Sequence, residues 1–303
     1  MRIVFMGTPD YATKILARLI EEFDVVALVT QPDKPVGRKQ RLTPPDTKRF
    51  IQEKGLAIDI LQPSTLKNSE TVEQIASYRP DFIVVAAYGM LLPKAVLDIA
   101  PCINLHASLL PAYRGASPIQ QALLNGDAIT GVTAMLMDEG LDTGAILGMR
   151  VCAIDPEDTA ITLFAKLAQA AADLTPQILQ SFPHIRPIPQ ADVDASYCKK
   201  IKKSDGEVRF GDAVQIYNKY RAFIFWPGIF TPQGLKLKKI ALESTEGTHE
   251  PGSIIEIADD SIVVGCKRGA LRVYRLQPPS KKEMDAISYI NGQRLKLGDS
   301  LLR

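Results

Sequence analysis

The sequence lacks the features that mark secreted, membrane-bound or metal-binding proteins. Its 303 residues include only four cysteines, far apart, and no Cys-x-x-Cys or Cys/His pair has metal-site spacing. We therefore expect reduced thiols without disulfides or zinc, as in cytoplasmic proteins. No apolar run approaches the roughly 18 residues of a membrane span. The first residues are typical of a strand and not of a signal peptide.

The chain also lacks the glycine patterns of common nucleotide-binding enzymes. An apolar run over residues 2–6 leads through Gly7 into a helical pattern, but only one glycine stands where the dinucleotide fingerprint needs three. A Gly-Lys-Ser or Gly-Lys-Thr sequence is missing as well. These absences argue against an NAD-dependent enzyme and against a P-loop enzyme.

Charge is nearly balanced over the whole chain, at +2, but it is unevenly distributed. Residues 1–198 carry 17 Lys and Arg against 22 Asp and Glu, a net charge of −5. Residues 199–303 carry 19 against 12, a net charge of +7. A basic C-terminal third on an acidic body favours a polyanionic partner.

Apolar runs alternate with helical patterns over the first 180 residues. The expected strands cover 2–6, 24–30, 81–88, 103–106 and 132–137, and a long helix covers 159–180. Strands that alternate with helices predict an α/β fold, a doubly wound and mostly parallel Rossmann-like sheet. In such a sheet the ligand binds beyond the carboxyl ends of the strands.

The pattern changes after residue 206. A helix over about 212–223 precedes short strands, which we expect at 229–231, 235–240, 252–257, 261–266 and 270–276. Short strands separated by turns predict a small OB-like β-barrel. A proline-containing polar stretch comes before them and is typical of a linker. We expect a catalytic domain over 1–184, a linker over 185–205 and a C-terminal barrel over 206–303.

The most informative stretch is Asn-Leu-His-Ala-Ser-Leu-Leu-Pro-Ala-Tyr-Arg-Gly, which begins at Asn104. Alternate side chains of a strand share a face, so Asn104 and His106 should lie side by side at the end of a strand. An amide can donate a hydrogen bond to an oxyanion, and an imidazole can move a proton. The pair could therefore act together on a carbonyl group.

This stretch, extended to Pro118, resembles the signature of the formyltransferases that use 10-formyltetrahydrofolate. A second block, Met-Asp-Glu-Gly-Leu-Asp-Thr-Gly over 137–144, resembles the second catalytic segment of that family. The resemblance implies that Asn104, His106 and Asp142 are the catalytic residues. A carboxylate beside an imidazole favours its protonated form and fixes its orientation.

Three further features resemble the branch of the family whose acceptor is methionyl-initiator tRNA. They are the basic segment Asp33–Arg38, the sequence 141–146 around the aspartate, and the C-terminal third with its lysine-rich sequence 200–206. The proline-rich composition of segment 31–49 predicts a loop. The resemblance implies that this segment contacts the tRNA acceptor end. The implied tRNA-binding residues are Lys34, Arg38, Lys39, Arg41, Lys200, Lys202 and Lys203.

The resemblance also implies where the folate co-substrate lies. Backbone groups of the expected loops can read the donor and acceptor edge of a pterin ring. The implied folate-binding residues are Ala86, Tyr88, Gly89, Leu91, Ser108, Leu109, Leu110 and Pro111. We expect a monomeric cytoplasmic enzyme that uses 10-formyltetrahydrofolate as formyl donor and needs no metal.

Three alternatives stay open at this point. The acceptor could be a sugar nucleotide or glycinamide ribonucleotide, as in other branches of the family. The chain could instead be an RNA-binding module whose catalytic domain is inactive, or a folate-dependent hydrolase that releases formate.

Overall fold

A computed structural model describes residues 1–37 and 40–302, which form two compact units. The first unit comprises residues 1–118, 129–154 and 163–199. The second comprises 119–128, 155–162 and the chain from residue 200 onward. Within the described residues, every helix is too short or too polar to cross a membrane.

The first unit is built on a seven-stranded sheet. The strands up to residue 198 are β1 Arg2–Gly7, β2 Asp24–Val29, β3 Lys34–Val36, β4 Arg41–Thr43, β5 Asp59–Leu61, β6 Phe82–Ala86, β7 Cys102–His106, β8 Arg114–Gly115, β9 Ile129–Leu136, β10 Ile146–Ala153 and β11 Tyr197–Cys198. The helices over the same span are α1 Asp10–Glu22, α2 Asp46–Lys54, α3 Ser69–Ser77, α4 Lys94–Leu97, α5 Pro118–Asn125 and α6 Ala160–Ser181.

The sheet order is β10-β9-β7-β6-β1-β2-β5. Strands β5, β2, β1, β6 and β7 are parallel, whereas β9 and β10 are antiparallel. The central strands are apolar throughout because they are covered on both faces, as in β6, where every residue is buried. The prediction of a mostly parallel, doubly wound sheet is confirmed. Strands β5 and β10 were not predicted.

Parallel pairing brings the carboxyl ends of β1, β2, β6 and β7 to one edge of the sheet. Gly7 at the end of β1 is paired with Ala86 at the end of β6. Asn104 in β7 is paired with Val85 in β6. The residues that follow these strands therefore share the edge at which ligands bind in open α/β sheets.

The segment 31–49 differs from the loop that we expected. Strands β3 and β4 form an antiparallel hairpin, and α2 begins at Asp46, inside the predicted loop. Thr47 is buried, and its hydroxyl donates to the carbonyl of Gly7 at 2.9 Å. Prolines had suggested irregular structure, but Pro35 lies in an exposed hairpin strand and Pro45 caps the helix, positions that tolerate a missing N–H.

The second unit contains a six-stranded antiparallel sheet of order β12-β13-β16-β15-β14, with β17 paired to β16. The strands are β12 Ile229–Phe230, β13 Lys236–Ser244, β14 Ile254–Ile257, β15 Ile262–Gly265, β16 Ala270–Gln277 and β17 Met284–Asp285. The helices from residue 200 onward are α7 Ala213–Ala222 and α8 Ala286–Gln293, and most of α5 belongs to this unit as well. The five predicted strands and α7 are confirmed, and α7 begins at an Asp212 cap that accepts from the N–H of Gln215. Strand β17 and α8 were not predicted.

Candidate active site

Asn104 and His106 lie on one face at the carboxyl end of β7, as the alternation of the strand requires. Their neighbours Ile103 and Leu105 are buried on the opposite face. The side-chain amide of Asn104 is half-buried and makes no hydrogen bond within residues 1–37 and 40–302. It is therefore available as a donor to a bound carbonyl oxygen.

The imidazole of His106 is held in one orientation by a backbone carbonyl. Its Nε2 atom lies 2.9 Å from the carbonyl oxygen of Tyr113. Because a carbonyl can only accept, Nε2 carries a proton and donates it there. Nδ1 is then the nitrogen that can gain or release a proton. Only 7% of the His106 side chain is exposed.

The carboxylate of Asp142 faces that second nitrogen. Its Oδ2 atom lies 3.7 Å from Nδ1 of His106, beyond hydrogen-bond length but close enough for charge interaction. The same Oδ2 accepts the backbone N–H of Gly115 at 2.8 Å. Asp142 has φ of +54°, a left-handed conformation that few non-glycine residues adopt. The backbone of this turn is therefore in a costly conformation, which surrounding contacts must stabilise.

Two glycines allow the loops to approach one another at this site. A Cβ atom on Gly115 would collide with the carbonyl oxygen of Cys198, and Gly115 has φ of +118°. A Cβ atom on Gly144 would collide with the carbonyl oxygen of Leu136. Glycine is required at both positions because backbone lies against backbone.

Residues 188–198, here called the 188–198 segment, hydrogen-bond to both loops of the site. The hydroxyl of Ser196 accepts the backbone N–H of Tyr113 at 2.9 Å. The side-chain nitrogen of Gln190 donates to the carbonyl oxygens of Asp142, at 2.9 Å, and Gly144, at 2.7 Å. The sequence pattern had indicated only a linker here. These residues were not identified from the sequence, because their partners are backbone atoms, which every residue type carries and which therefore produce no sequence motif.

Arg114 is buried beneath this segment, with 1% of its side chain exposed. Its Nε donates to Oε1 of Gln190 at 3.0 Å, and its Nη1 donates to Oδ1 of Asp192 at 2.9 Å. The guanidinium also lies 5.9 Å from the ring centre of Tyr197. Arg114 is part of the motif read from the sequence, but that reading assigned it no role.

The loop after β6 has the free backbone groups expected of a ligand site. Ala86 ends the strand, and the N–H and C=O groups of Gly89 to Leu91 make no hydrogen bond within the described residues. Gly89 has φ of +84°, and Leu91 is exposed. The carbonyl of Tyr88 accepts from Nε2 of Gln31 at 3.2 Å. Tyr88 itself belongs to the apolar core, where burial raises the pKa of its hydroxyl to about 12.

Several backbone N–H and C=O groups of residues 108–111 are already hydrogen-bonded to other parts of the protein. The hydroxyl of Thr133 donates to the carbonyl of Ser108 at 2.7 Å and accepts the N–H of Leu110 at 3.0 Å. The carbonyl of Pro111 accepts the N–H of Ser196 at 3.2 Å. The expectation that the backbone of this run reads a pterin edge is wrong for these three atoms, because they are already bonded to Thr133 and Ser196, as buried polar groups must be paired within the protein. Leu109 is half-buried and lies against Gly131.

The basic residues expected to contact tRNA lie on two surfaces. Lys34 and Arg41 are exposed in the β3–β4 hairpin, and Nζ of Lys34 donates to Oε1 of Gln31 at 3.2 Å. Arg38 and Lys39 lie outside the described residues. The remaining lysines, all exposed in the second unit, are Lys200, Lys202 and Lys203.

All four cysteines are free thiols. Burial raises the pKa of Cys102 to about 12, so this residue stays a neutral thiol near the site at physiological pH. Over residues 1–37 and 40–302, no cluster of three or more His, Cys, Asp or Glu has the arrangement of a metal site.

Comparison with known families identifies the class of the protein. Residues 1–179 match the family model described as formyl transferase, and residues 200–294 match the model described as formyl transferase, C-terminal domain. Among solved structures, a sugar 3N-formyl transferase, WlaRD, aligns with a TM-score of 0.67 at 20% identity over 93% of this chain and 99% of its own. HypX from Aquifex aeolicus, in complex with tetrahydrofolic acid, aligns with a TM-score of 0.66 at 16% identity over 98% of this chain and 48% of its own. At these identities the two structures establish the fold alone.

Proteins of similar sequence show to which family of formyltransferases the chain belongs. The methionyl-tRNA formyltransferase of Nitratiruptor sp. is 65% identical over 99% of both chains. That of Sulfurimonas denitrificans is 56% identical over 99% of this chain and 100% of its own. The chain belongs to the methionyl-tRNA formyltransferase family.

Proposed function

We propose that this protein transfers the formyl group of 10-formyltetrahydrofolate to the α-amino group of methionyl-initiator tRNA, which prepares that tRNA for translation initiation. The observation that carries the proposal is the meeting of Asn104, His106 and Asp142 at the carboxyl edge of the sheet, in a chain 65% identical to a methionyl-tRNA formyltransferase. We further propose that the enzyme acts in the cytoplasm, as a monomer and without a protein-bound metal.

Asn104 supplies the donor that the reaction needs. Attack of a neutral amine on the formyl carbon places negative charge on the formyl oxygen. The Asn104 amide is not engaged by any described residue, so one of its N–H groups can donate to that oxygen. A donor fixed on a strand needs little reorganisation when the charge develops.

His106 handles the proton that the attacking amine loses. Nε2 is committed to the carbonyl of Tyr113, so proton transfer takes place at Nδ1. The Asp142 carboxylate, 3.7 Å away, faces the positive charge that forms on the ring. Its bond to the N–H of Gly115 keeps it in that place. Asp142 thus orients and complements His106 and need not itself take the proton.

The folate co-substrate supplies the formyl group. When the tetrahedral intermediate collapses, the bond between the formyl carbon and the folate nitrogen breaks, and that nitrogen leaves with the proton that His106 took from the amine. The unbonded backbone groups of Gly89 to Leu91 fit a ligand with a planar edge of hydrogen-bond donors and acceptors. Ala86, Tyr88 and the run Ser108 to Pro111 complete the proposed contact surface. Bonds to Thr133 and Ser196 make the run 108–111 rigid, which favours a preformed pocket.

The tRNA contacts belong to the two basic surfaces. The hairpin follows β2, and its base is bonded through Gln31 to the carbonyl of Tyr88, so it begins at the same sheet edge as Asn104 and His106. We propose that Lys34, Arg38, Lys39 and Arg41 position the acceptor end there. Residues 206–303 form the proposed tRNA-binding domain, and Lys200, Lys202 and Lys203 contribute phosphate contacts that carry no sequence information.

Formate release and acceptor choice test the proposal together. With 10-formyltetrahydrofolate alone, we expect little formate, and addition of charged initiator tRNA should produce formylated product. Rapid formate release without tRNA would indicate a hydrolase, and tRNA binding without any turnover would indicate an inactive RNA-binding module. Turnover on a sugar nucleotide or glycinamide ribonucleotide, and none on the tRNA, would reject the assigned acceptor.

A further inference from the structure

Gln190 lies close to the active site, but it faces the backbone of the Asp142 turn and not the sheet edge at which the substrates would bind. Its two carbonyl partners, Asp142 and Gly144, flank Thr143 in that turn, at 2.9 and 2.7 Å. A primary amide has two N–H groups, so Gln190 uses its full donor capacity on this one turn. Nothing else in the 188–198 segment bonds to the backbone of Asp142 or Gly144 within the described residues.

Arg114 fixes which way that amide points. The guanidinium Nε can only donate, so the atom of Gln190 that faces it at 3.0 Å must be the amide oxygen. The amide nitrogen is then directed at the two carbonyls. Arg114 is itself buried, and its Nη1 donates to Asp192 and to the Tyr197 hydroxyl, which keeps the guanidinium against the amide oxygen.

The turn needs such support. Asp142 has φ of +54°, and a small rotation of its backbone would swing the carboxylate away from Nδ1 of His106. The bond from the N–H of Gly115 holds the side chain, whereas the bonds from Gln190 hold the backbone from which the side chain projects. These are two independent constraints on one carboxylate.

We infer that Gln190 is a positioning residue for the formyl transfer, which acts through Asp142, and that buried Arg114 orients it. The inference rests on the role proposed above for Asp142. The 188–198 segment, in which the sequence pattern indicates only a linker, therefore helps to hold the active site in place. Gln190 touches neither substrate in this account, so its loss should lower kcat and leave both KM values nearly unchanged.

The test is a double-mutant cycle in the full-length protein. Gln190→Met keeps the volume of the side chain and removes both donors, and we expect single-turnover formylation to slow by about 10- to 100-fold, the range that small misplacements cause. In an Asp142→Asn background the same substitution should cost less than about 3-fold, because residues that act as a unit are not additive.

Two further variants separate positioning from general destabilisation. Gln190→Glu still accepts from Arg114 but cannot donate to the carbonyls, so it should slow the reaction as Gln190→Met does, even where its Tm is retained. Gln177→Met is the matched control, since exposed Gln177 also donates to a backbone carbonyl, that of Asp173 at 3.0 Å. It should leave the rate unchanged.

The outcomes are distinct. Full activity of Asp142→Asn would reject the proposed role of Asp142 and the inference with it. If Asp142→Asn is slow but Gln190→Met costs the same factor in both backgrounds, or nothing in either, the inference alone is overturned. A loss confined to the background with Asp142 intact, at unchanged KM, supports it.

Discussion

The backbone N–H of Gly115 donates to Oδ2 of Asp142 at 2.8 Å and so joins two parts of the site that lie 27 residues apart in the chain. Gly115 ends β8, in the stretch of chain that follows His106, and the same stretch presents the carbonyl of Tyr113 to the His106 ring. One stretch of chain therefore fixes both the imidazole and the carboxylate that faces it. This arrangement explains why the two sequence blocks must occur together for the proposed chemistry.

Replacing Asn104 by Ala should slow formyl transfer by roughly 10² to 10³, the usual cost of losing one oxyanion donor. Single-turnover rates at saturating substrates measure the effect, with the unfolding curve as a check that the fold survives. Asn68→Ala is a matched control, because exposed Asn68 precedes α3 as its N-cap residue and its side chain makes no cap bond. A rate for Asn104→Ala within a few-fold of the unsubstituted protein would remove Asn104 from the mechanism.

Replacing His106 by Ala should lower turnover by roughly 10² to 10⁴, the range for a positioned proton-transfer group. The protein should remain folded, since within residues 1–37 and 40–302 the ring makes only one hydrogen bond, to Tyr113. His184→Ala, at an exposed position, should behave as the unsubstituted enzyme does. Equal rates for the two histidine variants would exclude His106 as the residue that handles the proton.

Asp142→Asn should fall in the same range as His106→Ala and should also change the dependence of rate on pH. Removing the charge 3.7 Å from Nδ1 alters the field at the nitrogen that exchanges the proton. The measurement is kcat across the pH range for this variant and for Glu139→Gln, which neutralises an exposed carboxylate in the same segment. A near-native rate with an unchanged pH profile would show that Asp142 and His106 are not coupled.

Arg38→Ala should reduce turnover strongly and leave binding of bulk tRNA nearly intact. An arginine can contact phosphate through two parallel bonds, and a misplaced acceptor end loses the geometry of attack. Equilibrium binding and single-turnover rates should be measured side by side, with Lys54→Ala as the control on an exposed cation of α2. Losses of equal size in binding and in rate would mean that the basic segment 31–49 contributes only general affinity for tRNA.

Three lysines of the second unit should have the opposite effect. Changing Lys200, Lys202 and Lys203 to Ala together should weaken tRNA binding and lower the slope of log affinity against log salt by about two to three, since each phosphate contact releases counterions. The rate at saturating tRNA should change little. The control changes three exposed lysines of the first unit, Lys54, Lys67 and Lys94. Identical salt slopes for both triple variants would leave the second unit without a special role in binding.

The sequence predicted the parts of this protein that depend on periodicity. Buried strands such as β6 are continuous apolar runs, and Asn104 and His106 share a face because they are two residues apart in a strand. Asp142 required the resemblance of its block to a family, since nothing in its own spacing links it to His106. The prediction of a loop over 31–49 was wrong, because prolines in an exposed hairpin strand and at a helix cap cannot be told apart in the sequence from prolines in a loop.

Gln190 could not have been found from the chain alone. It lies 48 residues from Asp142, and both of its donor bonds end on backbone carbonyls, which every residue type carries. Only the folded backbone shows that this amide faces one particular turn. The same holds for the bond between Gly115 and Asp142, in which one partner is a main-chain N–H.

Mass spectrometry of the methionine released from initiator tRNA, after incubation with 10-formyltetrahydrofolate and the full-length protein, tests the central claim most directly. We predict N-formylmethionine with the unsubstituted protein, little of it with His106→Ala and the full amount with His184→Ala. Unmodified methionine, under conditions in which the protein readily formylates glycinamide ribonucleotide or a sugar nucleotide, would contradict the account.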